Sequence, residues 1–341
     1  MGEAVELTVG ERKVRLSNPG KVYFPERGWT KLDVAQYYIA VGDGILRALR
    51  DRPTTLERYV NGVEGESFFQ KRAPKNLPDW IPTGRIRFPS GRYADEICPT
   101  EPAAVVWGAN LGCLTFHPWP VRRADLEHPD ELRIDLDPQP GTGYPDAVRA
   151  AHELRALLEE LGLRGWPKTS GGRGLHVFVP ISPEWDFTQV RRSAIAIARE
   201  LERRMPEQVT SKWWKEERGE KIFVDYNQTA RDRTIACAYS IRPRPHAPVS
   251  APLRWDEVPD ARPEDFDLGT MPGRYAEVGD VHAGMDDPAA LCRLDAVLDL
   301  AARDEREHGL GDLPYPPDHP KMPGEPLRVQ PSRAKHRPPQ E

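Results

Sequence analysis

Residues Glu131 to Asp137 read Glu-Leu-Arg-Ile-Asp-Leu-Asp and are stopped by Pro138. Apolar and charged side chains alternate, the pattern of a strand with one buried and one polar face. Asp135 and Asp137 then point the same way, roughly 6.6 Å apart along the strand. Two carboxylates on one face repel unless something positive stands between them. A divalent ion that takes oxygen ligands, Mg²⁺ or Mn²⁺, is the usual remedy. A lone Asp-x-Asp is more often a solvated strand end, so the weight falls on what accompanies it.

The 341 residues are enough for one large or two ordinary domains. No apolar run is long enough to span a membrane, and the opening Met-Gly-Glu-Ala-Val-Glu lacks a signal-peptide pattern. The expectation is a cytoplasmic protein with no membrane attachment. Cys98, Cys113, Cys237 and Cys292 are scattered and form no Cys-x-x-Cys pair, so they read as small buried hydrophobes. The net charge of −5 speaks against indiscriminate binding to nucleic acid. It leaves room for a local basic channel, which is what a phosphate backbone requires.

In chain order, Val5 to Leu16 reads as a strand or hairpin, and Ser17 to Gly20 as a turn. Thr30 caps a helix expected from Lys31 to Leu49, with Asp33 in its first turn. Thr54 to Val60 and Ser67 to Lys71 read as strands joined by the hairpin signal Asn61-Gly62. Adjacent Phe68 and Phe69 would face opposite sides, one to the core and one to solvent. Ala103 to Trp107 suits a strand or a helix, and Gly112 to His117 a strand. After the Asp135 strand comes a helix, Tyr144 to Leu161, with Ala147, Ala150, Ala151, Leu154, Leu157, Leu158 and Leu161 as its apolar stripe. Leu175 to Ile181, Lys221 to Tyr226 and Thr234 to Ile241 read as strands, Thr188 to Met205 and Ala289 to Arg306 as helices. From Tyr315 the chain is rich in proline and charge, as in a mobile tail. Strands in excess, with helices following individual strands, predict an α+β core of mostly antiparallel strands with helices packed on it.

Two more clusters carry chemistry. In Ser170-Gly-Gly-Arg-Gly-Leu-His176, the glycines let backbone N–H groups approach an anion. Ser170 adds a hydroxyl, Arg173 a forked cation and His176 a ring donor, a set suited to a phosphate chain. It is not a Walker loop, since it lacks Gly-Lys-Ser/Thr and leads into a strand. In Phe223-Val-Asp225-Tyr, a third carboxylate ends another apolar strand. Three converging carboxylates suit a two-metal site for in-line phosphoryl displacement.

Together, Asp135-Leu-Asp-Pro138, Ser170-Gly-Gly-Arg-Gly-Leu-His176 and Phe223-Val-Asp225-Tyr resemble the three motifs of the archaeo-eukaryotic primase superfamily. The match is nearest to the polymerase domain of bacterial ligase D and its free-standing primase-polymerase relatives, and runs from about Asn18 to Trp255. The resemblance implies a primase-polymerase fold: an RRM-like catalytic sheet with packed helices and a second small subdomain. It implies one catalytic domain over 1–310, in three parts: a DNA-binding part to about 120, the motifs at 121–255 and a helical part at 256–310. A proline-rich tail would occupy 311–341. Asp135, Asp137 and Asp225 would hold two divalent ions, Mn²⁺ or Mg²⁺. His117, Ser170, Arg173, His176 and Arg242 would bind the nucleoside triphosphate, with Arg218 nearby. Asn18, Lys21 and Lys31 would take a downstream 5′-phosphate, helped by the free N–H groups of the helix start. Phe68 and Phe69 would stack on template bases, and Arg85 to Glu96 would be a loop that aligns ends.

The implied activity is template-dependent nucleotide addition at gaps or breaks, with ribonucleotide preference, in excision-repair gap filling or non-homologous end joining. The implied partners are gapped or broken double-stranded DNA, an ATP-dependent DNA ligase and a Ku-type protein, on the bacterial nucleoid. Two departures stand out: Arg173 where ligase D often has lysine, and Glu57 before Arg58 where a second basic residue is common. Competing readings are a DNA-end adaptor with a weak active site, and a metal-dependent phosphatase or glycosyltransferase, which also use Asp-x-Asp.

Overall fold

The computed structural model describes residues 4–88 and 91–315. β1 (Ala4–Val9) and β2 (Arg12–Ser17) form an antiparallel hairpin. β3 (Val22–Phe24) and β4 (Trp29–Thr30) pair as a short ribbon leading into α1 (Lys31–Ala40). Thr30 and Asp33 cap that helix reciprocally, as its sequence predicts. The long helix expected to Leu49 is instead two, because α2 (Gly42–Leu49) starts afresh after Val41. Gly44, inside α2, is required by close packing. Any Cβ there would come within 2.8 Å of the Tyr239 and Tyr275 rings, so helix packing takes precedence over propensity.

β5 (Thr54–Arg58), β6 (Phe68–Gln70), β7 (Thr83–Arg87) and β8 (Tyr93–Ile97) line up in the order β6-β5-β8-β7. α3 (Pro102–Asn110) settles the ambiguous Ala103–Trp107 stretch as helix, with Pro102 in its first turn. β9 (Cys113–Pro118) pairs with β5. β5 and β6 are antiparallel as expected, but Asn61-Gly62 is no tight hairpin turn. It closes a turn of its own, Gly62 N–H to Tyr59 O at 3.1 Å, within a longer connection. The expected loop from Arg85 to Glu96 is mostly the β7–β8 hairpin, with Arg85 opposite Asp95. Pro89 and Ser90 lie outside the described residues.

The second sheet runs β11-β12-β10-β14-β13. Its strands are β10 (Glu131–Pro138), β11 (Trp166–Thr169), β12 (Leu175–Pro180), β13 (Val209–Thr210) and β14 (Ile222–Asp225). All pairs are antiparallel except β13 with β14. α4 (Tyr144–Glu160) and α5 (Phe187–Arg204) cover one face and bury Leu132, Ile134 and Leu136. The α4 stripe is buried as its period predicts, apart from half-buried Leu161. α6 (Met271–Val278) and α7 (Asp295–His308) complete the helices. α7 starts later than Ala289 because the chain first bridges β12's end, Cys292 beside Ile181.

Thr234 to Ile241 is not a strand. It is buried coil whose N–H groups reach separate partners, Cys237 to Phe116 O and Tyr239 to Ser250 O. Its apolar residues read as a strand because they are buried, but burial comes from passing into the first core beside Tyr37, Tyr38 and Phe116. The two cores meet at a buried ion network. Arg52 binds Asp130 and Glu131, and Arg133 binds Glu131 and the Pro118 carbonyl. Despite burial, Arg52 and Arg133 hold the Glu131 carboxyl down to about 2. Among the described residues no helix is long and apolar enough to cross a membrane. Of the tail expected from residue 311, Gly311–Tyr315 is described and continues along α5, while 316–341 lies outside the described residues.

Leu154 is fully buried in α4 against the second sheet. Leu154→Ala is expected to lower unfolding stability by about 2–5 kcal/mol, read as a lower urea midpoint with unchanged slope. A loss below about 0.5 kcal/mol would show that α4 does not close this core.

Candidate active site

β10 lies between β12 and β14, and its register sets the site. Asp135 is paired with His176 on one side and Asp225 on the other, and His176 with Lys168 of β11. Directly opposed residues share a face. Lys168, His176, Asp135 and Asp225 therefore form one row across four strands, on the face away from α4 and α5. Asp137 stands one pleat further along on the same face, exposed, opposite Phe223.

The acidic end of this row is uncompensated. Burial, then the charges of Asp225 and Asp137, push the Asp135 carboxyl well above the usual carboxylate range. Burial also raises Asp225, against the opposing Asn227 N–H, Arg233 and Gln228. The Gln228 amide spans the pair, donating to Asp225 Oδ2 at 2.9 Å and Asp135 Oδ2 at 3.5 Å. Gln139 donates to Asp137 Oδ2 at 3.1 Å and accepts from Arg218, whose guanidinium lies 3.5 Å over the Phe223 ring. The Asp135 and Asp225 oxygens, raised by burial and, at Asp135, by the neighbouring carboxylates, and bridged by a neutral amide, suit a hard divalent cation in donor chemistry. They are not a ready-made cage: among the described residues no three His, Cys, Asp or Glu side chains already converge as a ligand set.

The basic end is fully tied. Lys168 Nζ reaches three acceptors: His176 Nδ1 at 2.6 Å, Ser250 Oγ at 2.6 Å and the Ala236 carbonyl at 2.9 Å. Ser250 in turn donates to the Thr169 carbonyl, so its oxygen is free to accept from the lysine. With Nδ1 accepting, the ring proton sits on Nε2, which faces Asp135 Oδ1 at 3.5 Å. Burial pushes Lys168 down to about 7 and His176 well below its ordinary value, so the imidazole is a neutral donor. Lys168 reads in sequence as the first residue of the glycine-rich loop. Only the β11 register shows that it belongs to the row.

The loop itself departs from expectation in one respect. The Ser170 hydroxyl oxygen accepts from the N–H groups of Gly172 (3.1 Å) and Gly174 (3.2 Å), so those donors fold the loop instead of facing an anion. The glycines are required by close approach. A Cβ on Gly171 would collide with Arg242, one on Gly172 would come 2.9 Å from Arg244, and one on Gly174 would lie 2.5 Å from Leu136 O. Arg242 and Arg244 thus lean over the loop, and exposed Arg173 reaches the Pro138 carbonyl at 3.3 Å. Around this loop the charged donors are the three arginines, while the Gly172 and Gly174 amides are taken up by Ser170.

His117 belongs to the first sheet. It is buried, with Nε2 2.9 Å from Glu57 Oε2 and the Phe69 ring edge-on at 5.4 Å. Burial lowers its pKa against the pull of Glu57. Arg242 interacts with both Glu57 and Asp135, so it joins this pair to the carboxylate row. Phe68 and Phe69 are both exposed, at 46% and 58%, contrary to the expectation that one is core. β6 is an edge strand with no second layer over it, and Arg58 lies 5.0 Å over the Phe68 ring.

Asn18, Lys21 and Lys31 do gather, around a backbone turn in which Asn18 has φ 50°. Lys21 Nζ is held by the Val60 carbonyl and Asn61 Oδ1, both at 2.8 Å. Lys31 Nζ is held by the Ser17 carbonyl at 2.9 Å and Asn110 Oδ1 at 3.0 Å. Burial, then Lys21 and Arg58, push Lys31 down to about 8. Lys21, Lys31 and Arg58 thus stand close enough to repel one another. The helix-start amides do not join them: Lys31 N–H bonds Lys21 O, Leu32 N–H bonds Pro19 O, and the Asp33 N–H is capped by Thr30.

Residues 30–282 match the family described as the primase-polymerase domain of LigD. The chain is 34% identical over 281 residues to the multifunctional non-homologous end joining protein LigD of Mycolicibacterium smegmatis, covering 82% of this chain and 37% of that protein. Against the LigD of Pseudomonas aeruginosa it is 36% identical over 279 residues, covering 81% and 32%. The chain thus spans about a third of the length of these curated relatives. Its fold is similar to that of the polymerase domain of Mycobacterium tuberculosis ligase D in complex with DNA, with TM-score 0.77 and 30% identity, over 82% of this chain and 99% of that one.

A carboxyl raised in the folded state binds protons that the unfolded chain releases, so it costs stability at neutral pH. Asp135→Asn is therefore expected to raise the melting temperature at pH 7 by a few degrees. Added Mn²⁺ should raise the melting temperature of the wild type and leave that of Asp135→Asn nearly unchanged. A variant that melts below wild type would show that the carboxylate is satisfied as it stands.

Proposed function

The chain belongs to the LigD primase-polymerase domain family, and on that footing we propose that it adds nucleotides to DNA ends under template direction, in the repair of gaps and breaks. The observation that carries this reading is the Asp135–Asp225 pair, with Asp137 on the same face, set beside a cation-lined glycine loop. Asp135, Asp137 and Asp225 would hold two divalent ions, Mn²⁺ or Mg²⁺. When bound, such ions activate the attacking hydroxyl and stabilise the developing charge of an in-line displacement.

The protein's own groups do the rest. Arg173, Arg242 and Arg244 surround the space over the loop where a triphosphate fits. The His176 Nε2–H, fixed by Lys168, points toward the same space and donates without adding charge. Ser170 keeps the loop folded, and His117, clamped by Glu57, borders the cleft from the other sheet. Phe68 and Phe69 offer a stacking platform for unpaired template bases, a role suited to exposed aromatics beside Arg58. Lys21 and Lys31 would receive a downstream 5′-phosphate.

The relatives are named for non-homologous end joining, and that pathway or excision-repair gap filling is the proposed setting here. A partner ATP-dependent DNA ligase, a Ku-type protein and a cytoplasmic, nucleoid-associated location complete the proposal. Ribonucleotide preference rests on the family resemblance alone.

Primer extension on gapped DNA with Mn²⁺ and mixed nucleotides tests the activity. Asp137→Ala should lower nucleotide addition at least about 100-fold with gap binding within twofold, because the phosphate-binding cations are elsewhere. Normal extension by Asp137→Ala would refute the site; no extension by wild type would favour an end-binding adaptor.

A gap ending in 5′-phosphate should bind more tightly than one ending in hydroxyl. Lys21→Ala or Lys31→Ala should each remove about 1.5–3 kcal/mol of that difference. Because the Lys31 ammonium is lost as pH rises through about 8, the preference should also shrink between pH 7 and 9 at fixed salt. A wild-type preference for phosphate that is absent, or that grows with pH, would rule out this pocket.

A further inference from the structure

Arg191 of α5 is 3% exposed and lies beneath the end of β14, outside every role assigned above. Its Nε donates to Asn227 Oδ1 at 3.0 Å. Its other two nitrogens donate to the carbonyls of Leu313 (2.6 Å) and Pro314 (2.7 Å). The guanidinium sits between two rings, 4.6 Å from Tyr315 and 5.6 Å from Tyr226. Asn227 is 3% exposed, and its backbone N–H donates to Asp225 Oδ1 at 2.9 Å. A continuous chain of contacts thus runs from residues 313–315 through Arg191 and Asn227 to one oxygen of Asp225.

The strap that ends this chain is held along its length. Arg199 donates to the carbonyls of Leu310 (2.8 Å) and Gly311 (2.9 Å), and Arg192 faces Asp312 Oδ2 at 3.6 Å. The Arg191 and Arg199 bonds use backbone oxygens, so the strap acts as an acceptor surface for α5's arginines. A buried guanidinium with its donors unfilled is costly, so Arg191 depends on those carbonyls to stay in place. The strap also lies beyond residue 282, where the family match ends.

We propose that Arg191 is a positioning residue for Asp225, and that residues 310–315 are the strap that keeps it there. Arg191 fixes Asn227, Asn227 orients the Asp225 carboxylate, and the strap therefore tunes how well the carboxylates hold a divalent cation. The proposal rests on the metal-binding reading of Asp135, Asp137 and Asp225. Groups that orient a metal ligand through hydrogen bonds affect affinity by about 10–100-fold.

The test uses the full chain and Mn²⁺ alone, with free Mn²⁺ followed by electron paramagnetic resonance. Arg191→Met, and replacement of Asp312–Tyr315 by four glycines, should each weaken Mn²⁺ binding about 10-fold. Arg191→Lys should recover part of the loss. Combining Arg191→Met with the glycine strap should add little, because glycine keeps the carbonyls but loosens their backbone and removes the Tyr315 ring, and so weakens the same chain of contacts. Binding to gapped DNA without metal should stay within twofold throughout. If Arg191→Met fails to fold, the glycine strap and Asn227→Ala answer the same question. Unchanged Mn²⁺ affinity with a lower melting temperature would make the strap a structural clasp only and overturn the coupling. A wild type that binds no Mn²⁺ would overturn the metal reading and the coupling with it.

Discussion

Repulsion between Asp135 and Asp225 is the constraint around which this structure is arranged. The antiparallel pairing of β10 with β14 places the two carboxyls directly opposite each other. The opposing groups do not cancel this: Gln228 offers one amide, and Arg233 and Arg218 at Asp225, with Lys168 and Arg242 at Asp135, leave both carboxyls raised. The arrangement holds because the opposite face of β10 is packed into α4 and α5, which fixes the backbone whatever the charges prefer. Burial energy collected on one face thus maintains electrostatic strain on the other, as expected where a site is built to receive a cation.

The site is shared between two sheets, and buried ionic contacts align them. Arg133 lies two residues before Asp135 on β10, and its bonds to Pro118 and Trp119 fix the end of β9 beside the start of β10. Arg52 adds a second tie through Asp130 and Glu131. Replacing one member of such a network leaves a buried charge without its partner, so the junction is specific as well as tight. Arg242 performs the same joining task at the cleft, facing Glu57 of the first sheet and Asp135 of the second. Glu57, an unexpected acid by family resemblance, is accounted for locally: it orients His117 and accepts from Tyr59.

Positive charge is distributed with similar economy. The net charge is −5, yet Lys21, Lys31 and Arg58 stand close enough for both Lys21 and Arg58 to depress the Lys31 pKa. If, as proposed, they take a phosphate, the local potential would suit a terminal phosphate better than a continuous backbone. The pocket is one of side chains alone. The Thr30–Asp33 cap and the bonds from Lys31 and Leu32 to the preceding turn satisfy the amides that a bare helix end would have offered.

What the sequence determined by itself was local or periodic. The alternation of Glu131–Asp137 set a strand with both aspartates on one face, and the α4 stripe set which side of that helix is buried. Thr30 and Asp33 fixed a helix start, and three short motifs marked the carboxylates and the glycine loop. Strand register was not readable, and it alone decides that Lys168 and His176 share a row with Asp135. Register depends on which strands meet and on their offset, and both are settled by packing between distant segments. The same reason separates other outcomes. Gly44 is packed against Tyr239, which arrives from far along the chain, and Thr234–Ile241 is coil because it enters the other core. Phe68 and Phe69 are both exposed because β6 ends its sheet with nothing laid over it. Arg191 carried no signal in sequence, since two of its three acceptors are carbonyls more than a hundred residues away, and an acceptor common to every residue leaves no pattern to read.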